Sequence, residues 1–175
     1  MSRHSYLIAL GGNRARSRGI ITTLVTPAKA GDALKKSTPL PLAAPAFAGA
    51  TIVAASRVQT TSPLGPGKRS YANAVALIES NMKPRKLLKH LKSIERDHGR
   101  RPGRRWGDRV LDLDIIGWSG GIWASPGLAI PHPAFRERRF VLAPLVEVAP
   151  DWRDPVTRLT ARQLRARLDR KRPRA

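Results

Sequence analysis

The residues of this chain best suited to chemistry are two carboxylates two positions apart, Asp112 and Asp114 in Arg109-Val-Leu-Asp-Leu-Asp-Ile-Ile116. Alternate side chains of an extended strand share a face. The spacing therefore predicts Asp112 and Asp114 side by side, with Leu111, Leu113 and Ile115 packed on the opposite side. Two like charges held together call for a cation, and hard oxygen donors without cysteine or a nearby histidine favour Mg2+ over zinc. The competing interpretation, a polar outer sheet face whose aspartates pair with arginine, stays open at this point. Arginines at 96, 100, 101, 104, 105 and 109 crowd around Pro102-Gly103 just before the pair. Guanidinium forks match phosphate oxygens, and a Gly/Pro loop can close as a lid. Together these residues suggest phosphoryl transfer, a reaction in which the protein mainly positions groups and neutralises charge.

A P-loop is excluded. Gly67-Lys68 has the right dipeptide, but Ser62 stands at the earlier glycine position and Arg69 at the hydroxyl position. Tyr71 and Asn73 share a strand face, an aromatic plate beside an amide that both donates and accepts. Leu88, Lys92 and Glu95 form one helical row, and by themselves Lys92 and Glu95 read as a surface ion pair worth about 0.2–0.5 kcal/mol. His132 lies between two prolines, as suited to a structural corner as to phosphate binding.

These residues need elements to hold them. Tyr6–Leu10 is an apolar run ended by Gly11-Gly12-Asn13, a strand and a turn. Thr51–Thr60 and Tyr71–Glu79 read as strands. Pro84 suits a first helical turn, and Leu87, Leu88, Leu91 and Ile94 recur at helical spacing up to Gly99. Val110–Trp118 reads as a strand, with Ser119-Gly120-Gly121 as a hairpin turn into Ile122-Trp123. Phe140–Val148 suits a short helix. Thr160 and Gln163 fit a capping box opening a last helix that carries Leu164 and Leu168. The pattern predicts an α+β fold with a mainly antiparallel sheet. Residues 14–50 carry no clear element and are expected as a loop, an insertion or disorder.

The chain has 175 residues and 33 Lys+Arg against 12 Asp+Glu, a formal charge of +21. One domain over residues 1–175 is expected, with a basic tail at 170–175. Absence of cysteine excludes disulfides, cysteine nucleophiles and thiolate zinc sites. The uncharged stretch between Lys36 and Arg57 holds Pro39, Pro41 and Pro45 among small residues, a poor membrane span. A soluble cytoplasmic protein without membrane partners is expected. A pI near 11.8 points to an anionic partner.

The chain resembles the 6-hydroxymethyl-7,8-dihydropterin pyrophosphokinase family. The motifs are Ile8-Ala-Leu-Gly-Gly-Asn13, Thr61-Ser-Pro-Leu-Gly65, Asn73-Ala-Val, Leu87-Leu through Ile94-Glu95, Gly99-Arg100, Arg105-Trp-Gly, Arg109-Val-Leu-Asp-Leu-Asp114, Ile130-Pro-His-Pro133 and Arg138-Arg-Phe-Val-Leu-Ala-Pro-Leu145. The resemblance implies a ferredoxin-like α+β fold and transfer of diphosphate from ATP to the pterin hydroxymethyl oxygen, releasing AMP, in folate biosynthesis. It implies that Asp112 and Asp114 hold two Mg2+ ions, and that Arg100 and Arg109 clamp phosphate. Thr61, Ser62, Leu64, Tyr71, Asn73, Trp106 and Phe140 match pterin-site positions, with Tyr71 and Phe140 sandwiching the ring. Leu88, Lys92, Glu95, Ile115, His132 and Arg138 match positions around ATP. Either Arg101 or Arg104 matches a further phosphate contact. Gly12 stands where the family usually has serine, and Lys92 where glutamine is more common. No specific nucleic acid is expected as partner, and the oligomeric state is monomer or dimer. The alternatives are a basic nucleic-acid-binding module, for which 5% aromatic residues is thin provision, and a catalytically degenerate homologue.

Overall fold

The computed structural model describes residues 3–13, 15–26, 49–62, 70–100 and 110–170. Leu64, Trp106 and Arg109 lie outside the described residues, as do Arg101 and Arg104.

Seven strands and four helices are described: β1 (His4–Gly12), α1 (Ser17–Val25), β2 (Ala50–Ala55), β3 (Gln59–Thr61), β4 (Tyr71–Ser80), α2 (Pro84–Asp97), β5 (Asp112–Trp118), β6 (Trp123–Ser125), β7 (Leu128–Ile130), α3 (Arg139–Val148) and α4 (Ala161–Arg170). The main sheet runs β2-β4-β1-β5, with β3 also pairing β4, and every pairing is antiparallel. The fold is α+β, as the alternation of strand and helix signals predicts.

Strand alternation sorts the apolar residues into two cores. On one face Tyr6, Ile8, Leu10, Leu113 and Ile115 meet Ile21 and Leu24 of α1 and Leu87, Leu91 and Ile94 of α2. On the other, Leu7, Val75 and Ile116 meet Val141, Leu142 and Leu145 of α3 and Leu164 of α4. Farther along that second face Gly11, Tyr71, Asp112 and Asp114 stay half-buried.

Three expectations are corrected. The segment 14–50 contains a helix, α1, whose Ile21, Leu24 and Val25 are buried; spacing i, i+3, i+4 over a single short stretch is a weak signal. The strand expected over Thr51–Thr60 is split. Ser56 interrupts it, donating its N–H to Val75 O at 2.9 Å while its hydroxyl accepts the Val75 N–H at 3.0 Å. The glycine turn after Trp118 exists, with Gly121 at φ 88°, but β5 does not continue into a hairpin; β6 pairs with β7 instead. The capping box is present in both directions: Thr160 N–H donates to Gln163 Oε1 at 2.9 Å, and Gln163 N–H to Thr160 Oγ1 at 3.2 Å.

A polar anchor inaccessible to the sequence ties the chain after α3 to the rest. Asp154 is fully buried and accepts Nε and Nη2 of Arg136 at 2.8 and 2.7 Å, and the N–H groups of Val156 and Thr157. Burial works against its charge, but the hydrogen bonds from Arg136, Thr157 and Val156 outweigh it and hold the carboxyl below its ordinary value. A group depressed in the folded state lends stability above its unfolded pKa of about 4, lost as pH falls through the folded value. Asp154→Ala is expected to cost about 3 kcal/mol at pH 7, because it strips a buried pair of one partner. Melting curves of variant and parent should converge as pH is lowered below about 4; a gap that stays constant down to pH 2 would contradict the assignment.

Candidate active site

The site is built on the register of three strands. Asn73 of β4 opposes Gly11 of β1, which opposes Asp112 of β5; in the next row Val75, Ala9 and Asp114 are opposed in the same way. Strands lie about 4.8 Å apart, so Asn73 and Asp112 face the same side about 10 Å from each other. Gly11 is the floor between them, and a Cβ there would meet Asn73 Oδ1 at 3.4 Å. Sequence reading placed Gly11 in a turn; its role as floor depends on strand register.

At the Asn73 end, the amide Nδ2 donates to the Thr61 hydroxyl at 2.8 Å, and Tyr71 opposes Thr61 across β3 and β4. Asn73 is buried and Tyr71 half-buried, on one face as predicted, with Ser62 exposed beside them. Phe140 lies in the first turn of α3, and the guanidinium of Arg138 lies 5.9 Å from its ring centroid.

At the Asp112 end the edge of β5 is covered by side chains from α2. Glu95 is 0% exposed and accepts the outward N–H of Leu113, the residue between the two aspartates, at 2.7 Å. Lys92 Nζ donates to Glu95 Oε1 at 2.6 Å and to Leu113 O at 3.0 Å, and approaches Asp114 Oδ1 at 3.7 Å. The two side chains thus supply the donor and acceptor that a further strand would have supplied. The surface ion pair suggested by helical spacing is corrected: Glu95 is interior, and only the tertiary position of the β5 edge puts it there.

Gly99 ends α2 in the left-handed region at φ 89°, with Gly99 N–H to Arg96 O at 2.8 Å and Arg100 N–H to Glu95 O at 3.0 Å, a Schellman closure. The reversal brings Arg100 back to bridge Glu95 and Asp112, donating to Asp112 Oδ1 at 2.7 Å. Burial opposes the Arg100 charge, but Glu95 and Asp112 outweigh it and raise the guanidinium above its ordinary value.

The remaining predicted residues divide. Leu88 packs half-buried at the margin of the α2 core, and Ile115 is inside that core. His132 donates its N–H to Ile116 O at 3.2 Å, farther along the same β5 edge, while its Nδ1 accepts the Ala134 N–H at 3.2 Å. Lys92, Glu95, Arg100, Asp112 and Asp114 form one connected network; Thr61, Tyr71 and Asn73 form a second group, joined to it through Gly11. Gly12 has a local cause. A Cβ there would stand 2.4 Å from Val110 O and 2.7 Å from Ser17 Oγ, so the backbone excludes a serine at this position.

The donor set can be tested for a divalent ion. The Asp112 and Asp114 side chains are 24% and 34% exposed, and each already draws a cation, Arg100 and Lys92 respectively. Among the described residues no three acidic, histidine or cysteine side chains are arranged so that together they could hold a metal ion. Two carboxylates with solvent and phosphate oxygens completing the shell is the usual provision for Mg2+, so the residues fit.

The architecture and site are those of an α+β protein of the ferredoxin-like class, carrying acidic and basic groups at one end of its sheet. A sequence model of the family described as 7,8-dihydro-6-hydroxymethylpterin-pyrophosphokinase matches residues 7–150, and the chain belongs to that family. Relatives named 2-amino-4-hydroxy-6-hydroxymethyldihydropteridine pyrophosphokinase are similar to it. The Haemophilus influenzae protein is 45% identical over 101 residues, 57% of this chain and 63% of that one. The Methylorubrum extorquens protein is 38% identical over 122 residues, 69% of this chain and 76% of that one. The match thus spans less than two thirds of the Haemophilus relative. Among solved structures, the wild-type Plasmodium falciparum HPPK-DHPS with pteroate aligns with a TM-score of 0.58 at 13% identity, over 95% of this chain and 44% of that one, a likeness of fold. No helix among the described residues is long and apolar enough to cross a membrane.

Proposed function

We propose that this protein, acting as a single domain, transfers diphosphate from ATP to 6-hydroxymethyl-7,8-dihydropterin with Mg2+ as resident metal. The observation that carries this reading is the row Asn73–Gly11–Asp112, which sets a ring-reading amide and a metal-suited carboxylate on one sheet face with a side-chain-free floor between them. A flat polar heterocycle suits the Tyr71 and Phe140 faces with Asn73 and Thr61 at its edge. A triphosphate suits the end where Arg100 and Lys92 lie beside the aspartates.

In the reaction the hydroxymethyl oxygen attacks the β-phosphorus, the bond from that phosphorus to the α–β bridging oxygen breaks, and AMP leaves with that oxygen. The attacking hydroxyl gives up its proton to water on the side where Asp112 lies. Asp112 and Asp114 would hold the Mg2+ ions, whose chemistry is neutralisation of the triphosphate and polarisation of the β-phosphorus. Arg100 exchanges its contact with Asp112 for phosphate oxygen as nucleotide enters. Leu88, Lys92, Ile115, His132 and Arg138 flank the nucleotide, and Glu95 acts on it through Lys92 and Arg100. The test is AMP release from ATP with and without 6-hydroxymethyl-7,8-dihydropterin. Release that requires both the pterin and Mg2+ is expected; ATP hydrolysis indifferent to the pterin would defeat the reading.

A further inference from the structure

We infer that the solvent face of α2 is a docking strip for the phosphodiester backbone of nucleic acid, held without regard to base sequence. Arg85, Lys86, Lys89 and Arg96 are all exposed on this helix, and Lys83 stands exposed at its N-cap. At about 100° per residue, Arg85, Lys89 and Arg96 fall within an arc of about 40°, with Lys86 about 60° farther round. This stripe lies opposite Leu87, Leu91 and Ile94, which are buried. None of the five cationic side chains enters an ion pair or hydrogen bond among the described residues. Elsewhere some exposed arginines find carboxylates, Arg57 with Glu147, Arg139 with Asp169 and Arg162 with Asp151, while Arg158, Arg167 and Arg170 draw none among the described residues. Five cations that draw no carboxylate among the described residues thus gather on one helix and its N-cap.

That placement works against the helix itself. The first turn of α2 holds no acidic residue. Cations at a helix N-terminus are unfavourable against the helix dipole, and the i,i+4 pair Arg85 and Lys89 repels. An external polyanion reverses both signs. The occupant is a nucleic-acid backbone because the stripe offers charge alone. Among the described residues the exposed large apolar side chains are Val53, Ile122 and Val156, none on α2. A bilayer surface calls for apolar side chains beside the cations, and a protein partner for buried aromatic or apolar anchors. Phosphodiesters need neither. Arg85 to Arg96 spans about 17 Å at 1.5 Å per residue, the length of about five phosphates of one strand at 3.4 Å each. The inference does not depend on the proposed reaction, since the stripe points away from the sheet.

The test is fluorescence anisotropy of the full chain with a labelled 20-nucleotide RNA and a 20-base-pair DNA, from 25 to 200 mM KCl. Phosphatidylserine-containing vesicles and unlabelled poly(U) and poly(A) serve as comparison ligands. Four phosphate contacts predict a log K against log salt slope near −3 for single strands, with poly(U) and poly(A) competing about equally. Lys86→Glu with Lys89→Glu should weaken RNA binding at least tenfold, reduce the slope by about 1.4, and leave pterin-dependent AMP release unchanged. Lys86→Gln with Lys89→Gln should give a smaller loss in the same direction. Arg162→Glu with Arg167→Glu on α4 should change binding less than twofold. Absence of binding at 25 mM salt, equal losses from the α4 pair, tighter binding to vesicles than to RNA, or a tenfold preference between poly(U) and poly(A) would each overturn the inference.

Discussion

Asp112→Ala and Asp114→Ala are each expected to reduce pterin-dependent AMP release by about 10^3-fold or more while leaving the protein folded. The magnitude follows from the several kcal/mol that a metal ion contributes at a reacting phosphoryl group, at 1.36 kcal/mol per tenfold. The fold survives because both side chains are partly exposed, 24% and 34%, and their cationic partners keep other contacts. Arg100 retains Glu95, and Lys92 retains Glu95 and the Leu113 carbonyl. Partly exposed pairs contribute about 0–1 kcal/mol, so melting should shift by no more than about 4 °C. Initial-rate measurements of AMP beside melting curves separate the two effects. Parent-like turnover in either variant would refute metal holding by this pair, and a large fall in melting temperature would show the carboxylates to be structural.

Glu95→Ala is expected to act mainly on the fold. It removes a fully buried carboxylate that accepts the Leu113 N–H and faces both Lys92 and Arg100. Breaking a buried ion pair from one side costs about 3–5 kcal/mol. The lower end applies, since Lys92 and Arg100 are 30% and 32% exposed and can rehydrate. At about 2–4 °C per kcal/mol for a chain of this size, melting should fall by about 9 °C. Glu95→Gln keeps an acceptor for Leu113 and should lose less. A Glu95→Ala protein that melts within 2 °C of the parent would show that Glu95 does not brace the β5 edge.

Much of this was legible in the residues because local rules wrote it. The alternation of Asp112, Leu113 and Asp114 sorts charge from core whichever strand lies beside β5. Pro84, the leucine spacing and Gly99 bound α2, and Thr160 with Gln163 opens α4, since each signal acts within a few residues. Local rules failed where a distant partner set the outcome. Lys92 and Glu95 read as a surface pair, because nothing within the helix reports that the bare edge of β5 lies against it. Ser56 breaks a run of strand-forming residues by bonding Val75, a contact 19 positions away. Asp154 shows no motif, and its partner Arg136 is 18 positions earlier.

The sequence by itself determined the family, the α+β class and the identity of the acidic pair with its basic neighbours, since these rest on residue type and short spacing. Tertiary structure alone decided that Gly11 separates Asn73 from Asp112, that Glu95 is interior, and that Arg100 turns back onto Asp112. The physical reason is that strand register and helix docking are settled by the packing of both sheet faces at once, a sum over the whole chain that no short stretch contains.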